Sequence, residues 1–593
     1  MLLLAQRKFF MEYKRLFLPA FFFLISSTNA QKSTEKYLSN QSNTYEEAIR
    51  FYVDLDRQYK NASMLSYGYT DSGRQLSLFV IAGDSDMNPA SIKAKNKAVL
   101  LINNAIHPGE PDGIDASMKL AEDLLTKPEY KSLLDKVVVC IIPVFNIDGA
   151  LNRGCCSRAN QDGPEEYGFR GNYQNLDLNR DFIKCDAQNT QAFHLLFREW
   201  DPDVFIDTHV SDGADYPYSM TLIATQHDKL EKSAGEFLTK KMLPAIYKSM
   251  AEKKVLMSPY VNTWNETPDD GLVEFLETPR FASGYTALFN TFGFITESHM
   301  LKPFKQRVEA TYAIEKSILE YTNAHAEEIR DARYYAKRNC SEQKTFPLQW
   351  ELDTTSFEMI LFKGYEAKHR ASNVTGQQRL FYNRTAPYEK KIRYYNHYKE
   401  SITVEKPFSY IIPQCWRKII DQLRINRINM QRLVKDTTLT CEVYYIDDYN
   451  TVEHAYEGHY LHYNVKVRVE KQQIHFFKGD YIVDVDQPEN RFIVETLEPR
   501  AVDSYFAWGF FDAVLQEKEY FSSYVFEEKA EEILKNNPAL KKEFDEKKKS
   551  DIKFSTDGEA QLYFIYQRSP YFEKSYKRYP VARLMERANL LKN

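Results

Sequence analysis

A histidine and a glutamate three residues apart, His107 and Glu110, are the residues of this sequence best suited to chemistry. They follow a short apolar run, residues 98–102, that is typical of a buried strand. Side chains at positions i and i+3 of a tight turn can face one point, so an imidazole and a carboxylate can bind the same metal ion. A catalytic zinc needs a third protein ligand and an open position for water. His209, which ends a second apolar run, is the candidate for that ligand.

Two further polar segments accompany these residues. Residues 176–182 read LDLNRDF and contain Asn179 and Arg180, and Glu297 ends the run GFIT at 293–296. Arginine suits the recognition of a carboxylate because its planar fork binds both oxygens. Taken in order, the motifs H-x-x-E, an arginine-bearing loop, N-R, a lone histidine and a late glutamate resemble the zinc carboxypeptidase family of the carboxypeptidase A/B type. The resemblance covers residues 40–330, and the whole chain is similar to a bacterial branch with a C-terminal extension.

The resemblance implies a role for each matching residue. His107, Glu110 and His209 would bind one zinc ion per chain, and Glu297 would be the general base. Zinc lowers the pKa of its water toward ~7 and polarises a carbonyl, while a carboxylate off the metal handles protons. Asp177 would stand behind a zinc histidine, where a carboxylate fixes the imidazole tautomer.

The resemblance also implies a set of residues that hold the substrate. Asn179 and Arg180 would bind its terminal carboxylate, and Tyr285 would cap the bound peptide. Arg158 is the best match for the arginine that stabilises the oxyanion, and Arg153 and Arg170 are its competitors.

Three positions depart from the pattern that is common in the family. Gly109 precedes Glu110, Val210 follows His209, and Asp181 follows Arg180. These departures leave the predicted metal site intact, but they lie next to the subsites. The side-chain preference of digestive enzymes therefore does not transfer to this chain.

Composition excludes several other classes of protein. The 593 residues carry a formal net charge of -5, with 78 basic and 83 acidic side chains, and no basic stripe indicates nucleic-acid binding. Aromatic residues make up 14% of the chain, which favours packed sheets over disorder. A chain of this length should form two or three domains.

The amino terminus is typical of an export signal. Lys14 and Arg15 precede the apolar residues 16–25, and residues 26–30 provide a cleavage site of small residues before Gln31. The apolar run is shorter than the ~20 residues that span a bilayer. We therefore expect a signal peptide over residues 1–30, from Met1 or an alternative start at Met11, and a periplasmic or extracellular protein without a stable membrane span.

Cysteines and a second group of histidines leave alternatives open. The seven cysteines leave at least one thiol unpaired or in an intermolecular bridge, and Cys155 or Cys156 could pair with Cys185. His454, His459 and His462 lie within a predicted β-rich region. Alternating strand histidines explain that group better than a second metal site does.

The alternation of strands and helices predicts an α/β sandwich with a mixed sheet over residues 40–330. Short aromatic and β-branched segments predict a β-rich accessory domain over residues 345–500. Residues 501–593 turn helical, with predicted helices at 504–519 and 528–549. In open α/β sheets, sites lie on loops past the strand ends, where the candidate ligands fall.

These patterns predict an exported zinc carboxypeptidase whose substrate is a peptide with a free terminal carboxylate. No inhibitory segment is evident before Tyr45, so we expect activity without proteolytic activation. A zinc amidohydrolase acting on cell-wall peptide or an acyl-amino acid is the first alternative. A non-catalytic protein that binds peptide or glycan is the second. The sequence does not settle the oligomeric state.

Overall fold

The computed structural model describes residues 33–587, and the predicted signal peptide lies outside this range. The strands of the first half are β1 (Ala62–Tyr69), β2 (Gln75–Ala82), β3 (Ala98–Asn103), β4 (Val137–Ile142), β5 (Val204–Ser211), β6 (Met220–Ala224), β7 (Met257–Pro259), β8 (Leu272–Val273) and β9 (Phe292–His299). Eight of these strands form one mixed sheet in the order β1-β2-β4-β3-β5-β9-β6-β7. The predicted α/β sandwich is confirmed.

Helices cover both faces of this sheet. They are α1 (Tyr45–Gln58), α2 (Pro89–Ala94), α3 (Asp112–Thr126), α4 (Ile147–Leu151), α5 (Gln188–Trp200), α6 (Lys232–Phe237), α7 (Leu243–Glu252), α8 (Ala282–Ala287), α9 (Phe304–Ala324) and α10 (Ala326–Glu342). Residues of α1, α3, α7 and α9 share one apolar core, and residues of α5 and α8 belong to the core of the opposite face.

The central strands are apolar because both of their faces are covered. Every residue of β3, β4 and β5 is buried, and β3 runs parallel to both of the others. Continuous apolar strands are typical of parallel sheets of this kind. β9 continues the parallel series beside β5, with His209 opposite Glu297 in the register. The centre of the sheet therefore brings two predicted site residues together.

The second half contains further sheets and helices. Its strands are β10 (Thr345–Leu352), β11 (Glu358–Ala371), β12 (Gln378–Tyr395), β13 (Tyr398–Glu405), β14 (Ser409–Ile412), β15 (Gln431–Arg432), β16 (Thr437–Thr451), β17 (His462–Phe476), β18 (Tyr481–Asp484) and β19 (Ala582–Leu584). Its helices are α11 (Arg417–Ile425), α12 (Asn490–Leu497), α13 (Ser523–Asn536), α14 (Pro538–Ser550), α15 (Ile552–Thr556) and α16 (Gly558–Tyr566). β11, β12 and β8 form one sheet, and β14 to β19 form a six-stranded sheet.

The two halves share one apolar core. The core beneath α5 and α8 continues into α12 and the segment 501–511, and the rings of Phe289 and Phe492 lie 5.4 Å apart. β8 of the first half also pairs with β12 of the second. The accessory region is therefore packed onto the α/β domain and not tethered to it by a linker.

Two details of the C-terminal prediction are wrong. Residues 504–519 form turns and one short 3-10 helix, Asp512–Leu515, and the side chains of Tyr505, Phe506 and Trp508 in these turns are buried in the core. The predicted helix 528–549 is broken after Asn536, since Pro538 has no N–H and begins α14. The helical character of the C-terminal segment is otherwise confirmed, and this segment also contains β19, which joins the six-stranded sheet.

Cys155 and Cys156 are joined to each other, so the possible pairing with Cys185 is not formed. Cys185 is a buried thiol. Within residues 33–587, no helix has the length and apolar character needed to cross a bilayer.

Candidate active site

Three side chains meet at the carboxyl end of the central strands. His107 and Glu110 lie on the loop between β3 and α3, and His209 lies in β5, which pairs with β3. All three are buried, and their ligand atoms lie within 4.8 Å of one another. We call this group the central cluster. The parallel strands place it where open α/β sheets carry their sites.

The central cluster has the donor set of a zinc site. His107 Nδ1 lies 3.4 Å from Glu110 Oε1, and His209 Nδ1 lies 3.1 Å from Glu110 Oε2. His107 Nδ1 is buried and has no hydrogen-bond partner, which is costly for a ring nitrogen that could instead bind a metal. Two imidazoles and one carboxylate are the ligands of many catalytic zinc sites. The residues present therefore fit a zinc ion.

Each histidine also has a carboxylate behind its other nitrogen. Asp177 Oδ1 lies 2.9 Å from His107 Nε2, and Asp207 Oδ2 lies 3.0 Å from His209 Nε2. Such partners fix the tautomer and the orientation of a metal-binding ring. Asp177 stands where the sequence predicts it. Asp207 is missing from the prediction, although its position two residues before His209 on one strand puts both side chains on the same face.

Two arginines approach Glu110. Arg158 Nη1 lies 2.7 Å from Glu110 Oε1, and Arg170 Nη1 lies 3.5 Å from the same oxygen. Burial favours the neutral form of Glu110, but Arg158 and His107 outweigh this effect and hold the pKa of the carboxyl well below its ordinary value. Arg153 lies elsewhere, because its guanidinium donates to Ser42. Of the three candidate arginines, Arg158 and Arg170 remain beside the central cluster.

Glu297 stands next to the central cluster without belonging to it. It faces His209 across the β5–β9 pair. Burial raises the pKa of the Glu297 carboxyl to about 8; His209 and Arg158 oppose this effect, and Glu110 adds to it. A carboxylate whose pKa is poised near neutrality can accept and return a proton.

Asn179 and Arg180 lie on the loop that follows Asp177. Asn179 is buried, and its Oδ1 accepts a hydrogen bond from the backbone N–H of Ala282 at 3.0 Å. Arg180 is partly exposed, and its guanidinium stacks on Phe281 with 4.3 Å between Cζ and the ring centre. The stacked arginine has donors left for a substrate, while Asn179 fixes the loop.

The structure contradicts the proposed role of Tyr285. Its side chain is fully buried in the apolar core, stacks on His194 at 4.5 Å, and donates a hydrogen bond of 2.6 Å to Asn426 Oδ1. The short helix α8 turns this ring toward the core, so Tyr285 cannot cap a substrate.

Two residues that sequence reasoning missed lie near the site. Burial raises the pKa of Tyr260, and the negative charge of Glu297 raises it further, so this partly buried tyrosine lies within electrostatic reach of Glu297. Glu277 is buried, and its Oε2 has no hydrogen-bond partner. Burial raises the pKa of Glu277 to about 7, while His209 and Arg180 lower it. No spacing rule marks either residue in the sequence.

The accessory region holds the loop that carries Asn179 and Arg180. Glu457 Oε2 accepts a hydrogen bond of 2.7 Å from the backbone N–H of Asp177. His459 Nε2 lies 2.7 Å from Asp186 Oδ2, and His462 Nε2 lies 2.9 Å from Asp512 Oδ1. His459 and His462 therefore pair with separate aspartates. The expected alternation of these histidines along a strand is not formed, because His454 and His459 lie between β16 and β17 and His462 begins β17.

Comparison with known proteins agrees with this geometry. Residues 49–280 match the model of the zinc carboxypeptidase family. The chain is 19% identical to carboxypeptidase 2 of Trichophyton rubrum over 457 residues, which cover 74% of this chain and 78% of the relative. It is also 19% identical to carboxypeptidase 2 of Trichophyton tonsurans over 475 residues, which cover 77% and 82%.

Two solved structures are similar to part of the chain. A metallo-carboxypeptidase from Burkholderia cenocepacia is 18% identical, covers 49% of this chain and 71% of its own, and has a TM-score of 0.36. A metallo-carboxypeptidase from Pseudomonas aeruginosa is 15% identical, covers 50% and 71%, and has a TM-score of 0.37.

The fold and the family match define a zinc-dependent class of peptidase. The match to the zinc carboxypeptidase family lies within residues 49–280, and it confirms the resemblance predicted from the sequence. The predicted enzyme class, a metallocarboxypeptidase, is confirmed by this match and by the names of its relatives.

Proposed function

We propose that this protein is an exported zinc carboxypeptidase that removes the last residue of a peptide, with Glu297 as its general base. One observation carries the proposal. The Nδ1 atoms of His107 and His209 converge on Glu110, and Glu297 lies one strand away from His209. A metal-binding group and a separate carboxylate are the two parts that this hydrolysis requires.

The chemistry divides between the metal and the protein. When bound by the central cluster, zinc supplies Lewis acidity, which polarises a carbonyl and lowers the pKa of water. Glu297 takes a proton from the attacking water on its carboxylate and passes it to the leaving nitrogen. The raised pKa of Glu297 makes both transfers feasible near neutral pH. Asp177 and Asp207 keep the two imidazoles in the orientation that binds metal.

Arg180 supports an exopeptidase and not an endopeptidase. Its guanidinium lies over the Phe281 ring and is partly open to solvent, so it can bind a terminal carboxylate through two hydrogen bonds. Arg158 and Arg170 lie on the side of Glu110, where a positive charge can stabilise an oxyanion.

Export rests on the amino-terminal sequence. The basic pair Lys14-Arg15, the apolar residues 16–25 and the small residues 26–30 form a secretory signal with cleavage before Gln31. Expression in a secreting host, followed by N-terminal sequencing of the released protein, tests this. A mature protein that begins at Gln31 supports export, and an uncleaved protein retained in the cytoplasm contradicts it.

The substrate class is tested with paired peptides that differ only in a terminal carboxylate or carboxamide. We expect the wild type to release the last residue from the acid and to leave the amide intact. Arg180→Gln should reduce cleavage of the acid mainly through KM, whereas the exposed Arg57→Gln should behave as wild type. Equal cleavage of acid and amide, or internal cuts, would contradict the proposal and favour another hydrolase of this fold.

A further inference from the structure

A second group of metal-binding side chains lies between the two halves of the molecule. His227 and Asp228 follow β6, and His397 lies in the turn between β12 and β13. Their ligand atoms lie within 4.8 Å of one another. We call this group the outer cluster. The family match ends before His397, so one of its three residues comes from the accessory region.

Backbone contacts on both sides of His397 fix the outer cluster. Gln226 Nε2 donates a hydrogen bond of 3.0 Å to the carbonyl of Asn396. Asp228 Oδ2 accepts one of 2.7 Å from the N–H of Tyr398. The turn is therefore docked on the residues that carry the other two side chains, and the three residues are positioned before any ligand binds.

The distances within the outer cluster match those between the ligands of one metal ion. His227 Nε2 lies 3.3 Å from His397 Nδ1, and the two nitrogens lie 3.5 Å and 3.6 Å from the Asp228 oxygens. Ligand atoms at 2.0–2.1 Å from a tetrahedral zinc lie about 3.3 Å apart. Asp228 presents one oxygen to each imidazole, as Glu110 does in the central cluster.

The imidazole rings of the two clusters are also arranged alike. The ring centres of His227 and His397 lie 4.9 Å apart at an interplanar angle of 84°. Those of His107 and His209 lie 5.0 Å apart at 67°. Two crossed rings with inward nitrogens leave room for an ion between them.

The surroundings of the outer cluster favour a cation. It borders a groove with a volume of about 930 Å³ whose lining contains six carboxylates and two lysines. The lining carboxylates are Asp228, Glu231, Glu236, Glu342, Glu358 and Glu400. Negative charge along a groove raises the local concentration of cations. The His397 side chain is 39% exposed, so water can reach the fourth position of a tetrahedral site.

We propose that His227, Asp228 and His397 bind a second divalent transition-metal ion, for which zinc is the best match. Two imidazoles and one carboxylate suit zinc better than calcium or magnesium, which prefer oxygen ligands. The bound ion links residues 170 positions apart in the chain and fastens the accessory β-sheets to the catalytic domain. Its role is structural, and the catalytic ion remains at the central cluster.

Metal counting on the full-length chain tests this proposal. The protein is stripped with a chelator, reloaded with zinc alone, desalted and analysed for metal. We expect two zinc ions per chain in wild type, one in His397→Gln and one in Glu110→Gln. His369→Gln is the matched control, because His369 lies on the neighbouring β11 and contacts Glu266 outside both clusters. It should retain two ions.

The variants separate failure of this proposal from failure of the proposed function. If wild type and His397→Gln both bind one ion, and Glu110→Gln binds none, the outer cluster binds no metal and the proposal is overturned. The close approach of His227 and His397 is then only a hydrogen bond between two imidazoles. If Glu110→Gln binds as much zinc as wild type, the central assignment fails instead. His397→Gln should keep full peptidase activity, which a role in catalysis would not allow.

Thermal unfolding in the Glu110→Gln background gives a second readout. An ion that binds only the folded state raises the unfolding temperature. Zinc should therefore stabilise Glu110→Gln and fail to stabilise the double variant Glu110→Gln/His397→Gln. Equal shifts in both proteins would contradict a site at His397. Asp228→Asn keeps an oxygen that can accept the hydrogen bond from the Tyr398 N–H. When it is added to Glu110→Gln, a higher zinc concentration should be needed to raise the unfolding temperature as much as in Glu110→Gln alone.

Discussion

The central and outer clusters combine the same three side chains, two histidines and a carboxylate, at nearly the same spacing. They differ in what surrounds them. The histidines of the central cluster are buried, each has an aspartate behind it, and Glu297 and two arginines stand beside it. The outer cluster lies at the boundary of two regions and opens into an acidic groove. The spacing of the ligands determines whether a cluster can bind a metal ion. The neighbouring acids and cations determine whether a bound ion can take part in catalysis.

The largest expected effect is the loss of the catalytic ion. Glu110→Gln removes the only carboxylate of the central cluster and should reduce peptide hydrolysis to background, because no charged ligand remains to hold zinc there. Asp228→Asn is the matched change in the outer cluster and should leave the rate unchanged. Rates measured on one peptide at saturating zinc compare the two. A comparable loss in both variants would erase the distinction between the clusters.

The two arginines beside Glu110 should differ in their effect on the rate. Removal of one oxyanion donor costs about 10²–10³ in kcat. We expect Arg158→Lys to show this loss and Arg170→Lys a smaller one, since Arg158 is closer to Glu110 and less exposed. Measurement of kcat for both variants decides between them. The reverse order would assign the oxyanion to Arg170.

The aspartates behind the histidines should affect metal affinity. Substitution of such a partner typically costs 10–100-fold in metal affinity or activity. Asp207→Asn and Asp177→Asn should therefore weaken zinc binding at the central cluster by about that factor. Competition with a chelator measures it, and the outer site should keep its affinity as an internal reference. Unchanged binding would show that these contacts do not orient the rings.

Tyr285 distinguishes a packing role from contact with substrate. Tyr285→Phe removes the hydroxyl that donates to Asn426, so it should cost about 1 kcal/mol of stability and leave kcat/KM near wild type. Chemical denaturation measures the change in stability, and a kinetic assay on the same preparation measures kcat/KM. A large fall in kcat/KM without loss of stability would restore the capping role.

A separate effect, on stability alone, concerns a buried carboxyl that lies outside both clusters. Glu315 is buried with Ser117 as its hydrogen-bond partner, and burial raises the pKa of Glu315 to about 8. Glu110 is also buried, but the cations around it hold the pKa of Glu110 below its ordinary value. The stabilisation that Glu315 provides is complete below its ordinary pKa and is lost as pH rises through about 8. Glu315→Gln should flatten this decline by at most about 1.4 kcal/mol per pH unit. Identical pH profiles of stability would contradict the shift.

Much of the central site could be predicted from the sequence because its residues follow apolar strands in a fixed order. His107, Glu110 and His209 meet because β3 and β5 are parallel neighbours, and Asp177 lies on a loop beside them. Tyr285 was misplaced because spacing along the chain does not show which way a short helix turns its side chains. The outer cluster was missed because His227 and His397 are 170 positions apart in the chain. They come together only when the two regions pack, and no local sequence pattern predicts that contact.

The most direct test of the central claim is zinc content measured together with release of C-terminal residues, for wild type and Glu297→Gln. The account predicts the same zinc content in both proteins, with release by wild type and a rate about 10²–10⁴ lower in Glu297→Gln, the usual contribution of a general base. Undiminished release by Glu297→Gln, or wild-type protein without zinc at the central cluster, would contradict it.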